Sequence, residues 1–189
     1  MNKKKLLFVD RDGTIIRETK DERIDSFEKL LFYPKALHYL AKISKKLDFE
    51  IVMVTNQDGL GTPILPYEKF NPVHDFIIKS FENEGVVLKE ILIDKSFPNE
   101  NLKTRKPFVG LIQHYIDNPK YDLENSIMIG DRLTDVEFAK NFGGQAIYIN
   151  DKTHLGTNEI SVKHDELLPF ILLETNNWKK IYKFLKKLS

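Results

Sequence analysis

The feature that most constrains the fold is a series of five short apolar runs that lack polar alternation: LLFV (6–9), EIVMV (50–54), KEILI (89–93), SIMI (126–129) and AIYI (146–149). A strand with one wet face alternates apolar and polar residues, so these runs read as strands buried on both faces. Stretches with helical spacing separate them. Strands and helices in alternation build a parallel sheet with helices on either side. The expected fold class is therefore α/β, a Rossmann-like doubly wound parallel sheet.

The helical stretches carry their own signals. Pro34 suits a first helical position, with Leu37, Leu40, Ile43 or Ser44, and Leu47 then falling on one face. Asn71 and Pro72 read as the cap and first residue of a second helix, with Val73, Phe76, Ile77 and Phe81 as its buried stripe. A third helix is expected over about 108–118 and a fourth over about 133–142, closed by Gly143. Beyond Asn150 come a polar loop, a possible strand FILLE (170–174) and a last helix from about Thr175, with Trp178, Ile181, Tyr182 and Leu185 inward. Its terminal lysines suit the helix dipole and read as a solvated face rather than a binding patch.

Residues 17–33 are polar and too long for a tight strand-to-helix turn. They read as a flap beside the active site, with no large cap domain. The expected organisation is one domain over 1–189: a core of about 5–150, the flap, and a C-terminal strand and helix extension of about 151–189.

Composition narrows the partners. The 189 residues hold 29 Lys and Arg against 28 Asp and Glu, so charge gives no argument for nucleic acid or membrane. No apolar run approaches the roughly 20 residues of a membrane span. There is no Cys, which excludes disulfides and thiolate metal sites. A cytoplasmic location is expected, and the terminal helix with no linker after it leans toward a free-standing enzyme.

In an open parallel sheet, ligands bind outside the carboxyl ends of the strands. The first run delivers Asp10 and Asp12, the second Thr55, Asn56 and Gln57, the loop after the third Arg105 and Lys106, and the fourth Gly130, Asp131 and Asp135. Residues two apart in extended chain point the same way, so Asp10 and Asp12 face one volume. With Asp131 they make three mutually repelling carboxylates, which calls for a hard cation; Mg²⁺, with water and phosphate filling its other positions, fits best. Thr55 can bond a phosphate oxygen and Lys106 can oppose its charge. Backbone amides near Asp12, Gly13 and Asn56 can complete a phosphate cradle.

VDRDGT, VTNQ, the lysine of TRKP and IGDRLTD together resemble the four motifs of the haloacid dehalogenase superfamily of phosphotransferases, over roughly residues 6–149. DRDGT, VTNQDGLGT and GDRLTD are most similar to its histidinol-phosphate phosphatase branch, often the N-terminal half of a bifunctional histidine-biosynthesis enzyme. Heptose-bisphosphate phosphatases and other small sugar-phosphate phosphatases are the rival reading. The resemblance implies that Asp10 is the nucleophile forming an aspartyl-phosphate and that Asp12 is the general acid and base. It implies Mg²⁺ on Asp10, the backbone carbonyl of Asp12, and Asp131. Thr55 and Lys106 would neutralise the phosphoryl group, with Asn56 beside them. These roles ask for an Asp12 pKa raised by its surroundings and an Asp10 that stays ionised. Asp135 reads equally as a carboxylate serving its helix N-terminus or as support for the metal or Lys106; Gly13 and Arg105 are supporting candidates. Glu18 is the candidate contact for a substrate ammonium, with Gln57 and Asp58 as further pocket candidates.

One departure from the family stands out. Many relatives of this kind carry a zinc loop of Cys and His before the motif lysine, but here it reads IDKSFPNENLKTRKP with neither. Zinc is not expected, and packing of Phe97 and Pro98 is the expected substitute. His38, His74 and His114 fall in helical stretches and His154 and His164 in the polar tail, without a metal-ligand pattern. A rival from another class is a non-catalytic phospho-receiver module, although an acid two residues past the nucleophile followed by Gly-Thr is not its arrangement. A nucleic-acid 3′-phosphatase finds no support in a net charge of +1. The expected substrate is a small phosphate ester.

Overall fold

A computed structural model describes residues 3–150 and 159–188. His154 lies outside them. Six strands form one parallel sheet: β1 (Lys5–Val9), β2 (Phe49–Asn56), β3 (Leu88–Asp94), β4 (Ile127–Gly130), β5 (Gln145–Tyr148) and β6 (Ile171–Glu174). Their order is β3-β2-β1-β4-β5-β6, with every pair parallel. The helices are α1 (Ala36–Lys46), α2 (Tyr67–Glu84), α3 (Gln113–Ile116), α4 (Leu133–Phe142), α5 (His164–Leu167) and α6 (Trp178–Leu188).

The apolar runs do not alternate in hydropathy because both faces are covered. Leu7, Val9, Ile51, Met53, Ile127 and Ile129 enter one core with the buried sides of α1, α2 and α6. Leu6, Phe8, Val52, Val54 and Met128 enter a second core with Ile112, Tyr115 and the α4 side chains Leu133, Val136 and Phe138. The chain is doubly wound, and the order reverses between β1 and β4, where such sheets open a crevice at the carboxyl ends.

Three helix boundaries differ from the sequence reading. α1 starts at Ala36, after a left-handed Lys35 (φ 65°), so Pro34 precedes the helix rather than opening it. α2 starts at Tyr67 and runs through Pro72. A proline inside a helix costs about 3 kcal/mol. Burial of Phe70, Val73, His74, Ile77 and Phe81 along the same helix, at about 1.5–3 kcal/mol for each large apolar side chain, outweighs that cost. The stretch 108–118 yields only a 3-10 turn, Gly110–Ile112, and the single turn of α3.

The end of the chain belongs to the sheet and its core. β6 pairs with β5, His164 opens the short α5, and α6 lays Trp178, Ile181 and Leu185 into the first core. Among the described residues no helix is long and apolar enough to cross a membrane. Residues 17–33 hold a 3-10 turn, Phe27–Lys29, and are tied at the base by the Arg17 N–H on the Leu31 carbonyl (2.7 Å) and an antiparallel bridge of Ile16 with Phe32.

Candidate active site

β1 and β4 lie side by side, and the Asp10 N–H donates to the Ile129 carbonyl at 2.9 Å, so both strands end at one rim. There Lys106 Nζ sits 2.9 Å from Asp10 Oδ1 and 2.6 Å from Asp135 Oδ1. Carboxylate oxygens of Asp10, Asp131 and Asp135 all lie within 4.8 Å of one another. Two glycines allow this approach. A Cβ on Gly13, whose φ is +69°, would stand 2.0 Å from Asp131 Oδ2, and one on Gly130 would stand 2.2 Å from the Asp135 carboxyl carbon.

The electrostatics follow from burial. Asp10 is 7% exposed, and burial pushes its carboxyl up to about 6, with Lys106 opposing and Asp135 adding to the rise. The sequence reading places an ionised carboxylate here. Lys106 alone does not offset the lost hydration and the neighbouring acids. Asp131 is raised well above the ordinary carboxylate range, first by burial and then by Asp10 and Asp135. Burial would lower Lys106, but Asp10 and Asp135 outweigh it and hold the ammonium above its ordinary value. Three buried carboxylates against one ammonium leave an uncompensated negative charge on hard oxygen donors. That donor set fits Mg²⁺.

Asp12 is held from the side. Arg11 donates from Nε to Asp12 Oδ1 (2.8 Å) and from Nη2 to Oδ2 (2.9 Å), and Gln57 Nε2 donates to Oδ2 (2.8 Å). Arg11 is fully buried; its guanidinium also reaches Gln57 Oε1 (2.9 Å) and His74 Nδ1 (3.3 Å) and lies over the Phe70 ring (4.7 Å). Gln57 Nε2 donates to Thr55 Oγ1 as well (2.9 Å). The Asn56 side chain turns to the backbone of Lys106, donating to its carbonyl and accepting its N–H, both at 3.1 Å. Asn56 thereby pins the lysine loop to the end of β2.

Above this floor opens a cavity of about 340 Å³. Charged pairs cross its rim. Arg132 reaches Glu18 Oε2 (3.1 Å) and Glu22 Oε1 (3.4 Å) of the flap and Glu159 Oε1 (3.2 Å). Glu159 Oε2 also accepts from Arg105 (2.9 Å), which reaches Asp58 Oδ1 (2.6 Å) on its other side. Burial pushes the Glu18 carboxyl up to about 8, the nearby Asp12 adds, and Arg132 opposes.

Asp10, Asp12, Thr55, Asn56, Lys106 and Asp135 thus line one cavity, as do Glu18, Asp58 and Arg105. Asp131 joins the carboxylate cluster and Gly13 touches it. Gln57 is not on the cavity wall; it stands 4% exposed behind Asp12. Asp135 serves both roles left open by the sequence: Oδ1 takes Lys106, and Oδ2 accepts the Arg132 N–H (3.1 Å) at the start of α4. Sequence reasoning missed Arg11, Thr14, Arg132 and Glu159. Arg11 stands between two motif aspartates and Arg132 within GDRLTD, which marks both positions, whereas Glu159 carries no local signal.

Without Cys or His, the loop before Lys106 is gathered on Asp94. Its carboxylate accepts from the Ser96 N–H (2.9 Å), the Ser96 hydroxyl and the Thr104 hydroxyl (2.5 Å). Phe97 packs where a Cβ on Gly59 would fall. The expected packing of Phe97 is therefore joined by a buried polar knot.

The HAD-hydrolase-like family matches residues 103–166. The histidine biosynthesis bifunctional protein HisB of Bacteroides fragilis is 49% identical over 184 residues, 97% of this chain and 48% of that protein. Its counterpart in Spirosoma linguale is 42% identical over 186 residues, 96% of this chain and 48% of that protein. The chain thus spans about half the length of the curated relatives it matches. A crystal structure of D,D-heptose 1,7-bisphosphate phosphatase from B. bronchiseptica, complexed with magnesium and phosphate, superposes with a TM-score of 0.78 at 21% identity, covering 98% of this chain and 99% of that one. A putative HAD-like phosphatase from Mesorhizobium loti gives a TM-score of 0.75 at 20% identity, covering 100% of this chain and 89% of that one. Similarity of this extent, on a sheet whose strand order and rim chemistry agree with the motifs, gives the chain the haloacid dehalogenase fold and makes it similar to the hydrolases that share it.

Proposed function

We propose that the chain is a Mg²⁺-dependent phosphomonoesterase that hydrolyses L-histidinol phosphate to L-histidinol and phosphate, through an aspartyl-phosphate on Asp10, as a cytoplasmic step of histidine biosynthesis. The observation that carries this reading is the bridge of Lys106 between Asp10 and Asp135 on the floor of a cavity that Asp12 and Thr55 also line.

A carboxylate oxygen of Asp10 attacks phosphorus while Asp12 gives a proton to the leaving alcohol oxygen. Asp12 then takes a proton from water, which attacks the same phosphorus and frees Asp10. Arg11 and Gln57 orient the Asp12 carboxyl at the cavity wall. Lys106 and Thr55 face the phosphoryl oxygens, where the charge of the transition state sits. Asp10, Asp131 and the Asp12 carbonyl would hold Mg²⁺, which supplies neutralisation of the carboxylates and of the phosphoryl group. Both oxygens of Asp135 already accept hydrogen bonds, so its part is to orient Lys106.

The substrate assignment draws on relatives 40–49% identical that are named for histidine biosynthesis, and on a rim where Glu18, Glu22, Asp58 and Glu159 suit a cationic alcohol. The heptose-bisphosphate phosphatase shares the fold at 21% identity and carries no substrate argument. Phosphate release measured with Mg²⁺ should favour histidinol phosphate over heptose bisphosphate by at least about tenfold in kcat/KM, a 1.4 kcal/mol preference. Asp10→Asn should abolish release from both. A preference for the bisphosphate overturns the substrate, and no release from any ester points to a phospho-receiver.

A further inference from the structure

α6 enters the core on the side of the sheet away from α4, yet one of its atoms reaches the motif turn. Trp178 is 1% exposed, and its indole Nε1–H donates to the Thr14 carbonyl at 3.2 Å. Thr14 is itself fully buried, and its hydroxyl donates to Asp131 Oδ1 at 3.3 Å. The turn between them is tight: the N–H groups of Ile15 and Ile16 both return to the Arg11 carbonyl, at 2.9 and 3.2 Å. Next in the chain, Gly13 lies against the Asp131 carboxylate so closely that a Cβ would overlap it. A buried indole N–H with no acceptor costs about 1–3 kcal/mol, so this bond fixes where the turn sits relative to α6.

We propose that Trp178 is a positioning residue for the metal-binding carboxylate: α6 braces the motif turn through the Thr14 carbonyl, and Thr14 orients Asp131. The inference rests on the reading of Asp10 and Asp131 as Mg²⁺ ligands. Groups that orient metal ligands from behind typically cost 10–100-fold in affinity when removed, and Trp178 stands one bond further out.

Trp178→Phe keeps the ring and removes the N–H. Isothermal titration with Mg²⁺ alone, without substrate, should give a dissociation constant about three- to tenfold weaker than wild type. Thr14→Val, which removes the hydroxyl on Asp131, should weaken it similarly, and the double variant by less than the product of the two, because both act along one chain of bonds. Ile181→Val, on the same buried face of α6 but without a bond to the turn, should lower the melting temperature and leave Mg²⁺ affinity unchanged. A Trp178→Phe protein that is folded by circular dichroism and binds Mg²⁺ as wild type does overturns the proposal. So does an equal weakening by Ile181→Val, which would make the effect one of general stability. A wild type that does not bind Mg²⁺ overturns the metal reading, and the brace with it.

Discussion

At the scale of single residues, the site depends on atoms that are absent as much as on those present. Gly13 has no Cβ, and only for that reason can the turn after β1 lie against Asp131 with φ at +69°. Gly13→Ala should weaken Mg²⁺ binding by about 10- to 100-fold, measured by titration, beyond the roughly 1–2 kcal/mol of stability lost to a left-handed alanine. A variant that loses stability alone would show that Asp131 can retreat without consequence. Asp10, Asp12, Thr55 and Asp131 were legible at the rim because each stands within three residues of the end of an apolar run, and Lys106 because its loop follows the third run. Arg11 was not. Position within a motif says that a side chain is near the site, but not that it turns back, fully buried, onto the neighbouring aspartate while stacking on Phe70 from α2.

At the scale of elements, the flap from 17 to 33 is seated by Ile24 and Tyr33 in the first core and tied across the rim by opposite charges. Arg132 at the start of α4 takes Glu18 and Glu22 on one side and Glu159 on the other. Glu18 therefore already faces a cation in the resting protein. A carboxyl pushed up to about 8 by burial gains from any further positive charge that favours its ionised form. Glu18→Gln should raise KM for histidinol phosphate by about tenfold, the worth of one charge-assisted hydrogen bond, and change KM for an aryl phosphate without an ammonium much less. Equal effects on both esters would sink the ammonium contact. The flap was legible as an excess of polar residues in a place where loops are short. Its latch was not, because the latch joins residues more than a hundred positions apart. The same holds for the loop before Lys106: the lack of Cys and His was plain in the sequence, whereas its gathering on Asp94 depends on Ser96 and Thr104 meeting in space.

At the scale of the molecule, the two cores follow from apolar runs buried on both faces, and the observed strand order, reversing between β1 and β4, sets the site where three of the motifs meet. The helix boundaries were less legible. α2 continues through Pro72 because its stripe of buried side chains outweighs one missing backbone bond, a balance that local sequence does not display. That helix also brings His74 beside Arg11, and burial, with the guanidinium adding, lowers His74 to about 4. Its native value lies below the ordinary 6.5, so between pH 6.5 and 4 the unfolded chain takes up a proton that the native chain refuses. The stability that a neutral His74 lends is complete above pH 6.5 and is lost as pH falls toward 4. Asp10 and Glu18, both raised, work in the opposite direction as pH rises through about 6 and 8. Comparing wild type with His74→Gln isolates the histidine: the difference in unfolding free energy should grow by about 1–3 kcal/mol from pH 4 to 6.5 and stay level above it. A difference independent of pH would mean that His74 takes up its proton at the same pH in the native and unfolded chains.

The bond from Trp178 to the Thr14 carbonyl has a practical side. The chain has a single tryptophan, so all of its indole fluorescence arises one hydrogen bond from the motif turn. Excited at 
the red edge of the aromatic band, the unlabelled protein carries its own optical reporter of that turn, already placed and with no competing emitter of its kind.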